Sequence, residues 1–283
     1  MGSLREIKDH IGSVRSSLKI TSAMKLVASA KLHKAQQAIA DLLPYEDELR
    51  NILSLVPARS AGFGSADAPG VALVVVSSNS SLCGAFNANV VRAALEQISD
   101  IESAGKRVEL FALGRKGAEA LARSGYPCQR DFKSLVARPD FGQSSALAEE
   151  LVQRFSAGEF SRIVLVYTHF KSVSSQQVTV GNYLEAGVPL ACDGQTLPDG
   201  REYILEPGAQ QIADSLVPLV LKLRIHSMIL DSIAAEHAAR TVAMQTASDN
   251  AGKLLDELTV EYNKRRQEKI TSEILDLLGG MSQ

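Results

Sequence analysis

From Leu4 to Val56, apolar residues recur every three or four positions without a break. A heptad frame started at Leu4 puts Leu4, Ile7, Ile11, Val14, Leu18, Thr21, Lys25, Ala28, Leu32, Ala35, Ile39, Leu42, Glu46, Leu49, Leu53 and Val56 at its a and d positions, and thirteen of these sixteen are apolar. A seam sustained over more than seven heptads, with no proline before Pro44, predicts one long helix with a face for a second helix. About 55 residues at 1.5 Å each span about 80 Å. That is too long for one element of a compact domain in a chain of 283 residues.

The end of the chain reads as a second long helix, from about Gly208 to Leu278. Ile212, Leu216, Leu219, Leu223, Leu230 and Ile233 form one stripe, and Leu254, Leu258, Ile270, Ile274 and Leu277 another. Pro218 is expected to kink or interrupt the first turns, and Gly279-Gly280 to stop the helix. Between the stripes Ala238, Ala239, Ala243, Ala247 and Ala251 make a thin face that lets two helices approach closely. One helix enters the middle of the chain and the other leaves it, so a pair made from them is antiparallel. The last helix is longer by roughly 15 residues, which gives a tip overhanging by about 20 Å.

Residues 71–205 alternate between strand-like and helix-like runs. Strands are predicted at Val71–Val76, Lys106–Leu113, Ile163–Tyr167, Ser175–Tyr183 and Tyr203–Leu205. Helices are predicted at Asn87–Ser103, with Asn87 as candidate N-cap, at Lys116–Arg123 and at Ser144–Phe155. The alternation indicates a small Rossmann-like α/β domain on a mostly parallel sheet. The predicted organisation is therefore an N-terminal shaft helix (1–57), an α/β foot domain (58–207) and a C-terminal shaft helix (208–283). Ala58–Gly70 is the linker and Pro189–Arg201 a turn-rich loop.

Net charge is −2, which gives the chain no nucleic-acid signature. Its distribution is uneven: residues 10–40 contain Arg15, Lys19, Lys25, Lys31 and Lys34 and no acid. Such a run is either a solvated basic face or a surface for an acidic partner. Cys83, Cys128 and Cys192 form no CxxC pair or disulfide framework, which points to a reducing compartment. No leader or membrane span is recognisable, so a soluble, unprocessed chain is expected.

Little in the sequence promises catalysis. The loop after the first strand, Ser77 to Asn87, is where ligands sit in open α/β sheets. It lacks GxGxxG and GxxxxGK[ST] spacing and holds no Lys or Arg. A polar turn is the simpler reading, and no base can be assigned to Cys83 as a nucleophile. His226 and His237, eleven residues apart on one helix, lie about 16 Å apart and share no metal. Lys264-Arg265-Arg266 is either a solvated face or a polar contact. No catalytic, cofactor or metal residue is assigned.

Several long motifs then carry a resemblance. Leu4-Arg5-Glu6-Ile7-Lys8 and Lys19-Ile20-Thr21-Ser22-Ala23-Met24-Lys25-Leu26-Val27-Ala28 open the chain. Ala235 to Met244, Ala247-Ser248-Asp249-Asn250-Ala251 and Tyr262 to Thr271 stand near its end. Together these resemble the gamma subunit of F-type ATP synthases over the whole chain. One loop departs: where that family usually has Asp-Arg-Gly-Leu-Cys-Gly-Gly, this chain has Asn79-Ser80-Ser81-Leu82-Cys83-Gly84-Ala85. The redox-cysteine insertion of the chloroplast branch is absent, which with the missing transit segment favours a bacterial source.

The resemblance implies a non-catalytic central rotor stalk, its shaft inside a ring of alternating alpha and beta subunits. It implies that the foot meets the epsilon subunit and the ring of c subunits, peripheral to the cytoplasmic face of the bacterial inner membrane. By the same resemblance Met24 and Lys25 touch an acidic segment of beta, Arg240, Arg266, Gln267 and Thr271 make polar contacts with the head, and Tyr203 and Glu206 contact the c ring. Two rivals are a nucleotide-dependent α/β enzyme with helical arms and an unrelated coiled-coil scaffold that self-associates.

Overall fold

The computed structural model describes residues 4–55, 68–128, 132–184 and 206–280. In chain order the elements are α1 (Leu4–Leu55), β1 (Gly70–Val76), α2 (Phe86–Ser103), β2 (Arg107–Leu113), α3 (Arg115–Arg123), α4 (Lys133–Ala137), α5 (Phe141–Ser156), β3 (Phe160–Ser172), β4 (Ser175–Asn182) and α6 (Ala209–Gly280). Contacts divide the chain into two units, residues 1–29 with 240–283, and residues 30–239. The predicted strand Tyr203–Leu205, most of the linker and the loop at 189–201 lie outside the described residues.

The larger unit is built on a four-stranded sheet in the order β2-β1-β3-β4. β1 pairs in parallel with both β2 and β3, so it is central and buried at every position. That explains its unbroken apolar sequence, since a parallel strand covered on both faces has no polar side. β4 pairs antiparallel with β3 through a hairpin, which gives the mostly parallel sheet one antiparallel edge.

Side chains alternate across β1. Val71, Leu73 and Val75 pack with Val90, Ala94, Ile98 and Ile101 of α2 and Leu121 of α3. Ala72, Val74 and Val76 face the other way, into a cluster with Leu147 and Leu151 of α5. The same cluster takes Leu32, Ala35, Leu49 and Leu53 from α1 and Val220, Ile225, Ile229 and Ala234 from α6. The domain-side halves of both long helices are thus part of the second layer of this unit. Burial at these positions, at about 1.5–3 kcal/mol per large aliphatic side chain, is what holds them there.

The turn from β2 into α3 requires glycine. Gly114 has φ 102°, and a Cβ there would stand 2.1 Å from Ser77 O. Buried Ser77 ties the corner together: its hydroxyl lies 3.2 Å from Leu113 O and accepts from Gly117 N–H at 2.9 Å.

In the smaller unit α1 and α6 run antiparallel. Ile7 and Val14 cluster with Leu258, with Ile11, Ala251, Leu255 and Tyr262 packed around them. Ser248 Oγ donates to Thr21 Oγ1 at 2.8 Å. The heptad frame holds along the helix: every described a and d position from Leu4 to Leu53 is buried or half-buried. Two of its three polar interruptions are answered within the chain, Thr21 by Ser248 and buried Glu46 by Arg50 at 2.5 Å. Lys25 has no such partner among the described residues.

Two local expectations need correction. Asn87 does not cap α2; it lies inside the helix, where its Oδ1 accepts from Ser78 N–H at 3.0 Å and its Nδ2 donates to Ser78 Oγ at 2.8 Å. Asparagine at that spacing can close a turn as well as start a helix. Of the kink or interruption expected at Pro218, the interruption does not occur: α6 runs through it, where the neighbouring side chains at 217, 220 and 221 are buried and hold the turn.

Candidate functional surfaces

The loop after β1 is closed on itself. Ser78 is buried and bonded to Asn87, and the Cys83 sulfur lies 3.2 Å from Asn87 Nδ2 and 3.7 Å from Ser78 Oγ. Asn79 Oδ1 accepts from Arg115 N–H at 3.0 Å, Asn79 O accepts from Arg115 Nε at 3.2 Å, and Asn79 Nδ2 donates to Lys133 O at 2.8 Å. The polar side chains of Asn79 and Asn87 and the Arg115 guanidinium are therefore engaged within the protein itself. Arg115 is the first residue of α3, 36 residues away, and no local pattern could have placed it here.

The same geometry accounts for the departure at 79–85. Only Leu82, at φ 68°, and Gly84, at φ 60°, take left-handed backbone in this loop. Ala85 has φ −84°. The glycines that Ser81 and Ala85 replace are at positions where this backbone does not call for glycine, and Gly84, where it does, is kept.

His226 has a role in packing. Its Nδ1 lies 2.9 Å from Ser144 Oγ, and its ring meets Phe141 edge-on at 5.5 Å. Burial pushes its pKa below the ordinary value, partly opposed by Asp140. As pH falls, the unfolded chain takes up this proton first. The stability contributed here is full above the ordinary pKa of about 6.5 and declines as pH falls through it toward the lowered folded value. Melting temperature is expected to drop from about pH 7 to 5, and His226→Gln to flatten that slope. An identical slope in the variant would remove His226 as its cause.

The smaller unit presents a different surface. Arg15 and Lys19 are exposed and Met24 and Lys25 half-buried, and neither Arg15, Lys19 nor Lys25 forms an ion pair among the described residues. Beside them Ile20, Leu26 and Val27 are exposed, Leu26 at 69%. Uncovered branched side chains next to unpaired cations mark a surface suited to a partner.

Farther along, Arg265 is half-buried and paired with Glu261 at 2.8 Å. From Arg266 to Leu275 every side chain is exposed, including Gln267, Thr271, Ile270 and Ile274. The Thr271 hydroxyl is used on its own helix, donating to Gln267 O at 2.9 Å. Arg240 is buried, so it stands apart from this exposed set. Glu206 is exposed and Tyr203 lies outside the described residues.

Among the described residues no group of His, Cys, Asp and Glu could hold a metal, and no helix is long and apolar enough to cross a membrane.

Comparison with known proteins agrees over the full length. A family model described as ATP synthase matches residues 3–283. The ATP synthase gamma chain of Bacteroides thetaiotaomicron is 42% identical over 298 aligned positions that cover 100% of both chains. That of Phocaeicola vulgatus is 43% identical, covering 99% of each. Among solved structures, a chain of the Euglena gracilis mitochondrial ATP synthase OSCP/F1/c-ring assembly superposes with TM-score 0.68 at 19% identity, over 99% of this chain and 93% of that one. The fold is shared and the sequence matches run end to end: the chain belongs to the ATP synthase gamma-chain family.

Proposed function

We propose that this chain is the central rotor stalk of an F-type ATP synthase and is not itself catalytic. The observation that carries this reading is the smaller unit, an antiparallel helix pair with cations that form no ion pair among the described residues, exposed Ile20, Leu26 and Val27, and a stretch of α6 from 266 to 275 whose side chains are all exposed. These features suit a shaft enclosed by a ring of alpha and beta subunits. An asymmetric shaft binds three otherwise equal beta subunits unequally. That difference in binding free energy shifts each between conformations, so turning the shaft moves the preference from one to the next.

In this reading Met24 and Lys25 meet an acidic segment of beta, and Arg266, Gln267 and Thr271 face the head. Arg240 acts from inside the helix pair, setting the position of neighbours at its polar contacts. Glu206 and Tyr203 are contacts for the c ring in the same reading, and the foot also meets the epsilon subunit. The chain is peripheral, at the cytoplasmic face of a bacterial inner membrane, and coupling to protons is a property of the ring it turns with.

Two measurements test this together. Purified complex should contain one copy of this chain per ring, and the isolated chain should bind no nucleotide in equilibrium dialysis. Stoichiometric nucleotide binding by the chain alone would favour the enzyme reading instead.

The tip gives a further expectation. Exposed Ile270, Ile274 and Leu275 gain about 1.5–3 kcal/mol each if a surrounding sleeve buries them. A turning tip is best served by area without directional bonds. Deleting residues 275–283 should lower the thermal stability of the assembled complex and leave measurable ATP hydrolysis. Complete loss of hydrolysis in a fully assembled deletion complex would contradict this.

A further inference from the structure

A cavity of about 480 Å³ opens in the larger unit between α1, β3 and α6. Its size is in the range that holds a small molecule. Ile39, Leu43 and Met228 supply an apolar wall, and Tyr167 and Arg224 bring polar groups into the same space.

The charges around it are unequally committed. Glu46 is paired with Arg50 at 2.5 Å. Asp231 meets His169 Nδ1 at 2.6 Å and accepts from Phe170 N–H at 2.9 Å. Both carboxylates facing the cavity are therefore engaged. Arg224 is half-buried and has no ion-pair partner among the described residues, and the Tyr167 hydroxyl has no hydrogen-bond partner among them. Burial raises the pKa of Tyr167 above its ordinary value, so the phenol remains a proton donor. A half-buried guanidinium leaves strong donors unused unless something planar and anionic meets it.

We propose that this cavity is a binding site for an amphipathic monocarboxylate, its carboxylate on Arg224 and Tyr167 and its alkyl body against Ile39, Leu43 and Met228. The chemistry is specific on two counts. The wall rejects a purely polar anion, and the open guanidinium favours an acid over an alcohol or amine of the same length. The site lies wholly within residues 30–239 and does not depend on the rotor reading.

The test uses the full-length chain with octanoate, 1-octanol and octylamine, each below its aggregation concentration. Binding is followed by calorimetry and by the methyl resonance of Met228. Octanoate should bind and shift Met228, and the alcohol and amine should bind at least about tenfold more weakly, as loss of a charge-assisted hydrogen bond implies. Arg224→Gln should weaken octanoate by a similar factor. Leu43→Glu changes a partly exposed wall residue with little risk to folding and places a like charge by the ligand, so it should also weaken octanoate even if Arg224→Gln folds poorly. Equal affinity for octanol and octanoate, no octanoate binding, or undiminished binding in Leu43→Glu would overturn the proposal.

Discussion

Lys25→Glu is expected to uncouple ATP hydrolysis from proton pumping in membrane vesicles while leaving the chain folded. Of the three polar residues in the heptad seam, Thr21 and Glu46 are satisfied inside the protein. Lys25 is half-buried without an ion-pair partner among the described residues, so packing does not explain its presence. Glu and Lys have nearly equal helix propensity, and a substitution that breaks no internal contact costs within about 0.5 kcal/mol of stability.

The cost falls on the partner. Against an acidic surface, reversal turns attraction into repulsion in the orientation that uses Lys25. A change of about 1–3 kcal/mol there alters the relative populations of the three ring states by about 5- to 150-fold. Protons pumped per ATP hydrolysed should fall, with Lys25→Gln intermediate. Unchanged coupling in Lys25→Glu, with normal assembly, would remove this residue from the contact surface.

The second large effect is on folding. Gly114→Ala should lower the unfolding free energy by about 2–5 kcal/mol. Left-handed backbone costs an L residue roughly 1–2 kcal/mol, and forcing a methyl into a packed corner adds about 1–3 kcal/mol. The methyl would stand 2.1 Å from Ser77 O, a main-chain atom at the end of β1, so relief requires moving the sheet itself. Gly125 separates the two causes: it has φ 96°, but a Cβ there would meet nothing within 4 Å. Gly125→Ala should show the backbone cost alone, about 1–2 kcal/mol. Urea unfolding of both variants at unchanged m gives the comparison. Equal midpoints would show that the Ser77 contact does not matter.

Features fixed by local periodicity were legible in the sequence. The seam from Leu4, the buried run of β1 and the Ala face of α6 follow from side-chain spacing, and each was recoverable without tertiary knowledge. So was the contrast between Lys25 and the apolar positions around it. α4, at five residues, is too short to show a period. Asn87 has the chemistry of a cap and of a turn clasp, and only Ser78 nine residues earlier decides between them. The engaged and unengaged groups around Arg224 come from α1, β3 and α6, so that cavity exists only once the layers have packed. The buried state of Arg240 has the same origin, since a motif match carries no information on which way a helical arginine turns.

A central rotor stalk must turn within the head while ATP is hydrolysed on other subunits. Val180 is an exposed position on β4 where a cysteine, introduced as Val180→Cys, can carry a fluorescent or bead-linked probe. With the head of the purified complex fixed to a surface, added ATP should drive the probe in one direction, in steps of a third of a turn as each of three beta subunits fires. ATP hydrolysis at full rate with the probe stationary would contradict the rotor reading.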